Sequence, residues 1–344
     1  MPGPDYSARS GDVVCFGELL LRLTAPGREL LLQSGKFDVH VGGAEANVAV
    51  GLSRLGRRTA MISKVPDNPL GEAAAGYLRS HGVSVEGVQR APGRMGLYFL
   101  SSGAGHRPSS IVYDREGSSF ATAGPDDFDW ANLLDGAALL HLSGITPALG
   151  PRSAEAAIDC AEAARSRGIP ISFDGNYRAK LWQRWNSDAK TALGELAARS
   201  DILFGNHRDI SLLLSQEFDG DGEERRREAA EAAFAAYPNV RIIASTVRHL
   251  DHSDRHRIAA RMDSPDGAYQ TEEIALGGVV DRIGTGDAFA AGVLHGLLNG
   301  ADHERALHYG LALACLKHSL PGDASLFTQA DIDAFLSGEL DVRR

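Results

Sequence analysis

The 344-residue sequence contains no apolar run of about 18 residues, so it offers no transmembrane helix. Its first ten residues, MPGPDYSARS, are polar, hold two prolines and lack the apolar stretch of a secretory leader. They are expected to form a disordered extension, and the cytoplasm is the expected location. Cysteine is scarce. Cys15, Cys160 and Cys315 are odd in number, far apart and each set in an apolar segment. No CxxC pair exists, so the three read as buried reduced thiols and a structural zinc site is not expected. Positive charge is also short, with 35 Lys and Arg against 45 Asp and Glu and a formal net charge of −10. Such a chain repels nucleic acid and anionic membranes, while a local basic pocket for a small anion stays compatible with it. Aromatics make up only 7% against 39 glycines, a balance that suits tight strand-to-helix turns better than an all-β sandwich. Two phosphate-binding patterns are missing: no GxxxxGK[ST] occurs, and no GxGxxG follows a strand.

What is present is a strand–helix alternation. Residues 11–16 (GDVVCF) read as a buried strand, LLLRL at 19–23 as its continuation or a neighbour, and 36–41 (KFDVHV) as a half-exposed strand. Residues 44–55 read as a helix ending at Gly56, with small residues that permit close approach to a backbone or ligand. The next helix is capped by Asn68, carries Pro69 in its first turn and ends at Gly82. Strands are expected at 96–102 and 109–114, and helical patterns are scarce from 88 to 125. With 19–41, this points to a small β unit beside the main domain. From 138 onward strands (138–143, 170–174, 201–205, 240–246) alternate with helices (152–167, 188–199, from 208, 223–236), followed by two antiparallel strands (257–262, 268–275) and helices 287–299 and 302–318. Thr328 and Asp331 cap a last helix. The fold class is therefore α/β, a mostly parallel sheet covered on both faces, with ligands expected outside the C-terminal strand ends. Residues 248–257 (RHLDHSDRHR) hold three histidines but read as an exposed loop, and the arginines at 225–227 as a solvated helix face.

The sharpest chemical signal is Gly284-Thr285-Gly286-Asp287 before an apolar helix. Two glycines let backbone N–H groups converge, and the helix N-terminus adds partial positive charge, which makes an anion hole. Asp287, at the start of that helix, is placed to take a proton from a hydroxyl attacking a bound phosphoryl group. Taken alone, the segment is equally compatible with an Asp that only caps a helix. A second signal is Gly42-Gly43-Ala44-Glu45-Ala46-Asn47, where bare backbone can meet a ligand and Asn47 can bond a hydroxyl. Alone, it reads as a tight strand-to-helix turn.

Together, GGAEANVAVGLSRLG at 42–56 and DRIGTGDAFAAGVL at 281–294 resemble, in order and spacing, the two signatures of the ribokinase-like (PfkB) carbohydrate kinases. The resemblance runs from about residue 11 to 337. It implies a doubly wound α/β kinase domain over 11–344, with a small β-sheet lid drawn from about 18–41 and 92–120. It also implies ATP and Mg²⁺ as cofactors. Within the family, GELLLRL at 17–23, IVYDREGSSFA at 111–121, DGNYRAKLW at 174–182 and CLKHSLPGD at 315–323 are similar to 2-keto-3-deoxygluconate kinases. That similarity implies phosphorylation of 2-keto-3-deoxygluconate at its 6-hydroxyl, with Asp287 as base and Gly284, Thr285 and Gly286 as anion hole. Gly42, Gly43, Asn47, Tyr98, Tyr113, Arg115 and Arg178 would contact substrate, the two arginines suiting a carboxylate.

Asn206 and Asp209 occupy the place of the family's Asn-x-x-Glu pair, which positions Mg²⁺ partly through water; Asp is one methylene shorter than the usual Glu. Thr285 is a second departure, since Ala is commoner there. Ser245, Thr246 and Arg248, with Asn206, Gly284 and Gly286, would lie on the ATP side, and Lys317 and His318 at its adenine end. The rival readings are a fructokinase or other neutral-sugar kinase of the same fold, and a catalytically silent sugar-binding regulator, against which the intact GTGD argues. A homodimer through the lid is implied by the family. Monovalent-cation dependence is not legible in the residues.

Overall fold

The computed structural model describes residues 6–185, 188–220, 222–252 and 254–339. Its strands in chain order are β1 (Asp12–Phe16), β2 (Leu20–Thr24), β3 (Asp38–Gly42), β4 (Thr59–Pro66), β5 (Val83–Ser84), β6 (Val88–Ala91), β7 (Gly96–Ser101), β8 (Ser110–Asp114), β9 (Ala137–Ser143), β10 (Ile171–Asp174), β11 (Ile202–Phe204), β12 (Ile242–His252), β13 (Arg255–Ser264), β14 (Gly267–Gln270) and β15 (Ile274–Gly277). The main sheet runs β14-β13-β12-β11-β10-β9-β1-β4-β5, with β6 beside β4 and β15 beside β13. It is parallel from β12 to β5 and turns antiparallel at β13.

Alternation along the central strands explains the layering. Val13 and Cys15 of β1 join one apolar cluster, and Val14 and Phe16 join another. The first cluster takes in helices Ala44–Arg54, Pro69–Ser80, Thr285–Leu298 and His303–Lys317; the second takes in Pro151–Ser166, Ala189–Arg199 and Glu223–Ala236. A strand buried on both faces must be apolar throughout, which is why β1 reads as a continuous run. The small residues of helix Ala44–Arg54 serve a close helix crossing: a Cβ on Gly51 would lie 3.0 Å from that of Ala291.

The second sheet, β3-β2-β7-β8, comes from the two stretches expected to form the lid. Leu20, Tyr98 and Leu100 form its small core. Asn68 caps its helix as expected, its side chain accepting from the N–H groups of Leu70 and Gly71. All three cysteines are free and buried.

Four details differ from the sequence reading. Residues 248–252 and 255–257 belong to strands β12 and β13 rather than a loop, because Val247–Leu250 pair in register with His256–Ala259. His256 is buried there, its ring 5.6 Å from that of His318. Strands β4 to β6 add to the strands expected from the sequence. In the arginine run, Arg225 is exposed as expected, whereas Arg226 and Arg227 are half-buried, and Arg227 reaches Asp263 at 3.3 Å and the Ser264 carbonyl at 2.7 Å. These two pin a helix to the sheet edge rather than face solvent. Finally, Tyr6 of the expected N-terminal extension is 5% exposed and packs in the first cluster. Residues 1–5 of that extension lie outside the described residues.

Candidate active site

A cavity of about 850 Å³ opens between the lid and the C-terminal ends of β10, β11 and β12. Gly284, Thr285, Gly286 and Asp287 line it. Gly284 precedes helix Thr285–Leu298 with φ +75, and a Cβ there would fall 1.6 Å from the Asp323 carbonyl oxygen. Only glycine satisfies both demands. Gly286 has open space where its Cβ would be. Thr285 closes the turn from within, its hydroxyl donating to the Arg282 carbonyl at 3.0 Å.

Asp287 lies in the first turn of this helix, and its Oδ2 accepts from Asn47 Nδ2 at 2.7 Å. The two sequence signatures thus meet across the helix crossing. Burial pushes the Asp287 carboxyl up to about 7; the Asn47 bond opposes that, the charges of Asp323 and Glu45 add to it, and Arg178 opposes it. Asn47 is placed by Gly43, whose φ of +140 and contact with the Glu18 carbonyl leave no room for a side chain. Beside them Glu45 is fully buried, accepts from the Ser143 hydroxyl at 2.6 Å, and has its carboxyl raised by burial.

Further carboxylates line the same cavity. Asp174, at the end of β10, is pushed up to about 8 by burial and then by Asp287 and Asp209. Asn206 caps its helix by accepting from Arg208 N–H at 2.8 Å, and Asp209 Oδ2 accepts from Asn206 N–H at 2.8 Å. Burial also raises the Asp209 carboxyl. Among the described residues, no group of three His, Cys, Asp or Glu side chains is poised to hold a metal. That fits Mg²⁺, which keeps most of its ligands as water and phosphate oxygens. Asn206, Asp209 and Asp174 line this part of the cavity.

On the lid side, Tyr98 donates from its hydroxyl to Asp323 Oδ2 at 2.6 Å, and its ring lies 6.2 Å from that of Tyr113. Arg115 Nε is bound to Glu18 Oε2 at 2.5 Å, and Ser118 donates to the other oxygen of Glu18. Arg178 follows a turn in which Asn176 adopts φ 39; it is exposed, and donates to the Tyr177 carbonyl at 3.1 Å. Asn176 N–H is held by Asp174 at 3.0 Å.

Gly43, Asn47, Tyr98, Tyr113, Arg115, Arg178, Asn206, Asp209, Ser245, Thr246, Arg248 and Gly284 to Asp287 all line the cavity. Three expected residues do not. Gly42 sits behind it, where a Cβ would meet Asp323 Oδ2 at 2.3 Å. Lys317 and His318, expected at the adenine end, are buried. Lys317 donates to the Leu320 carbonyl at 3.0 Å, and His318 Nδ1 bonds the Ala314 carbonyl at 2.7 Å, with burial pushing its imidazole down to about 4. Sequence reasoning missed Asp174, Asp323 and Arg282. Asp174 carried a usable signal, a lone acid ending a buried strand, whereas Asp323 is brought in by tertiary folding.

A carboxylate leading out of a glycine anion turn, under a β lid, defines a phosphoryl-transfer enzyme on a ribokinase-like α/β fold. The model of the pfkB family carbohydrate kinases matches residues 10–329, and the chain belongs to that family. The 2-dehydro-3-deoxygalactonokinase of Haloferax volcanii is 34% identical over 329 residues, covering 96% of this chain and 98% of its own. The 2-dehydro-3-deoxygluconokinase of Thermoproteus tenax is 30% identical, covering 90% of this chain and 89% of its own. The crystal structure of 2-dehydro-3-deoxygluconokinase from Thermotoga maritima superposes with a TM-score of 0.90 at 36% identity, over 96% of this chain and 100% of that one.

Proposed function

We propose that this carbohydrate kinase transfers the γ-phosphoryl group of ATP to the 6-hydroxyl of 2-keto-3-deoxygluconate. The observation that carries the reading is the Asn47–Asp287 bond at 2.7 Å, which sets a carboxylate of raised basicity at the mouth of the anion turn. Asp287 takes the proton of the attacking hydroxyl. The N–H groups of residues 284–287 receive the charge that builds on the transferred group. Arg178 and Arg115 hold the substrate carboxylate, and Tyr98, Tyr113 and Asn47 its hydroxyls. Ser245, Thr246, Arg248 and Asn206 face the nucleotide. Mg²⁺, when bound, neutralises phosphate charge, with Asn206 and Asp209 on its water shell. Lid closure excludes water and limits idle ATP hydrolysis. The relatives named for 2-dehydro-3-deoxy sugar acids support the substrate class.

A coupled assay of ATP turnover with 2-keto-3-deoxygluconate, its galactonate epimer, fructose, ribose and gluconate, each against Asp287→Asn, tests this. Preference for a keto-deoxy acid, lost in the variant, supports acceptor and base together. One observation favours a second reading, a neutral-sugar kinase: the charge of Arg115 is already balanced by Glu18. A preference for fructose in the same panel would establish it.

Two further expectations remain proposals. Val39, Leu23, Phe99 and Val112 stand in register across one lid face, with Val39 57% and Val112 50% exposed. An apolar row of this kind suits a homodimer formed lid to lid, which light scattering of wild type and Val112→Asp would test. Three buried free thiols fit a cytoplasmic location.

A further inference from the structure

Two guanidiniums on the nucleotide side are left without partners. Arg248 projects from β12, and Arg282 from the segment that leads into Gly284; both line the cavity. Neither has a hydrogen bond or ion pair from its side chain among the described residues. Burial lowers the basicity of the Arg248 guanidinium, and the charge of Arg282 lowers it further. Elsewhere in this chain most arginines near carboxylates are paired with them, as Arg22 is with Asp281 and Asp323, and Arg261 with Asp263. Arg248 is exposed and Arg282 half-buried, so both guanidiniums are open to an anion entering the cavity.

The backbone of Arg282 is held on both sides. Asp281 accepts from Ile283 N–H at 2.9 Å and Gly322 N–H at 3.1 Å, and is itself gripped by buried Arg22 at 2.6 Å. The Arg282 carbonyl accepts from Thr285. The side chain therefore springs from a fixed point two residues before the anion turn. A planar guanidinium there matches the oxygens of a phosphate chain and adds charge that the turn's N–H groups cannot supply.

We propose that Arg282, with Arg248 lining the same cavity, clamps the polyphosphate chain of the nucleotide, so that the site recognises a nucleoside triphosphate mainly by its phosphates. The inference rests on the ATP reading above and adds Arg282 to the residues that touch the nucleotide.

Equilibrium titration with ATP, ADP and adenosine in the presence of Mg²⁺ and without sugar tests it, on wild type, Arg282→Gln, Arg282→Lys and Arg248→Gln. Loss of one or two charge-assisted bonds should weaken ATP about 10- to 100-fold in Arg282→Gln. ADP should weaken less and adenosine within about two-fold, with Arg282→Lys recovering part of the loss and the salt dependence of ATP binding becoming shallower. Unchanged thermal midpoints show that the fold is intact. ATP affinity within about two-fold of wild type in Arg282→Gln would overturn the clamp, as would an equal loss for adenosine. A wild type that binds no ATP would overturn the donor assignment and the clamp with it. A wild type that binds ATP beside an indifferent Arg282→Gln would remove the clamp alone.

Discussion

Arg115 Nε lies 2.5 Å from Glu18 Oε2, and both side chains are buried, at 5% and 1% exposure. The pair ties the β1–β2 connection to the segment after β8, and so joins the lid to the main sheet. Breaking a buried pair leaves one charge desolvated and alone, which costs about 3–5 kcal/mol. Glu18→Gln should destabilise the protein by that order in urea unfolding. Adding Arg115→Met should restore part of the loss, since it removes the orphaned cation. A double variant no more stable than Glu18→Gln would show that the effect comes from packing instead.

Asp287 titrates with a clear sign. Its carboxyl is raised from the ordinary value to about 7, so the folded protein disfavours the ionised form. The resulting penalty is absent below about pH 4, where the acid is protonated in both states, and grows as pH rises to about 7. Asp287→Asn should therefore match wild type near pH 4 and exceed it above pH 7 by roughly 3 kcal/mol, allowing for partial exposure. Its activity should fall by orders of magnitude.

The same ionisation sets the acidic limb of kcat/KM, expected near pH 7 because the base must be unprotonated. Asn47 donates to the ionised form, so Asn47→Ala should move that limb to higher pH as well as weaken sugar binding. A limb that stays in place in Asn47→Ala would count against Asp287 as the base.

The two glycines of the anion turn should behave differently. Gly284→Ala meets a left-handed backbone and the Asp323 carbonyl, so both stability and activity should collapse. Gly286→Ala meets nothing in the protein and replaces glycine in a first helical turn, so stability should change by less than about 1 kcal/mol. Gly286 lines the proposed phosphate-binding cavity, so a methyl there should still lower kcat about 10-fold or more. Denaturation melts beside steady-state kinetics separate the two outcomes.

Much of this site was legible because its parts are local. The glycines at 43 and 284 are demanded by backbone geometry, and the helix after Gly284 announces itself by its apolar run. The alternation of strands and helices likewise carries the sheet, as β1, β9 and β10 show. What the sequence withheld depends on contacts across the fold. Lys317 has the chemistry of a nucleotide contact, but its helix turns the ammonium toward the Leu320 carbonyl. The strand residues at 248–252 hide because register with β13, not composition, makes them strand. Asp323 is an unremarkable loop acid until Tyr98 and Arg22 converge on it.

The last prediction separates the two arginines expected to hold a carboxylate. Arg115 is half of a neutral pair, so it offers the cavity directional N–H groups with little net charge. Arg178 is exposed and, among the described residues, its side chain bonds only the neighbouring Tyr177 carbonyl. Its charge is therefore available to substrate. Arg178→Gln should raise KM for 2-keto-3-deoxygluconate by about 30- to 100-fold, the worth of roughly 2–3 kcal/mol for a charge-assisted bond, while any turnover of a neutral sugar changes by less than about three-fold. Arg115→Gln should instead reduce protein stability through the unpaired Glu18 and discriminate weakly between acid and neutral acceptors. The KM ratio of acid to neutral sugar, measured in both variants, decides it; equal losses for both sugar classes in Arg178→Gln would remove Arg178 as the carboxylate anchor and return that role to Arg115.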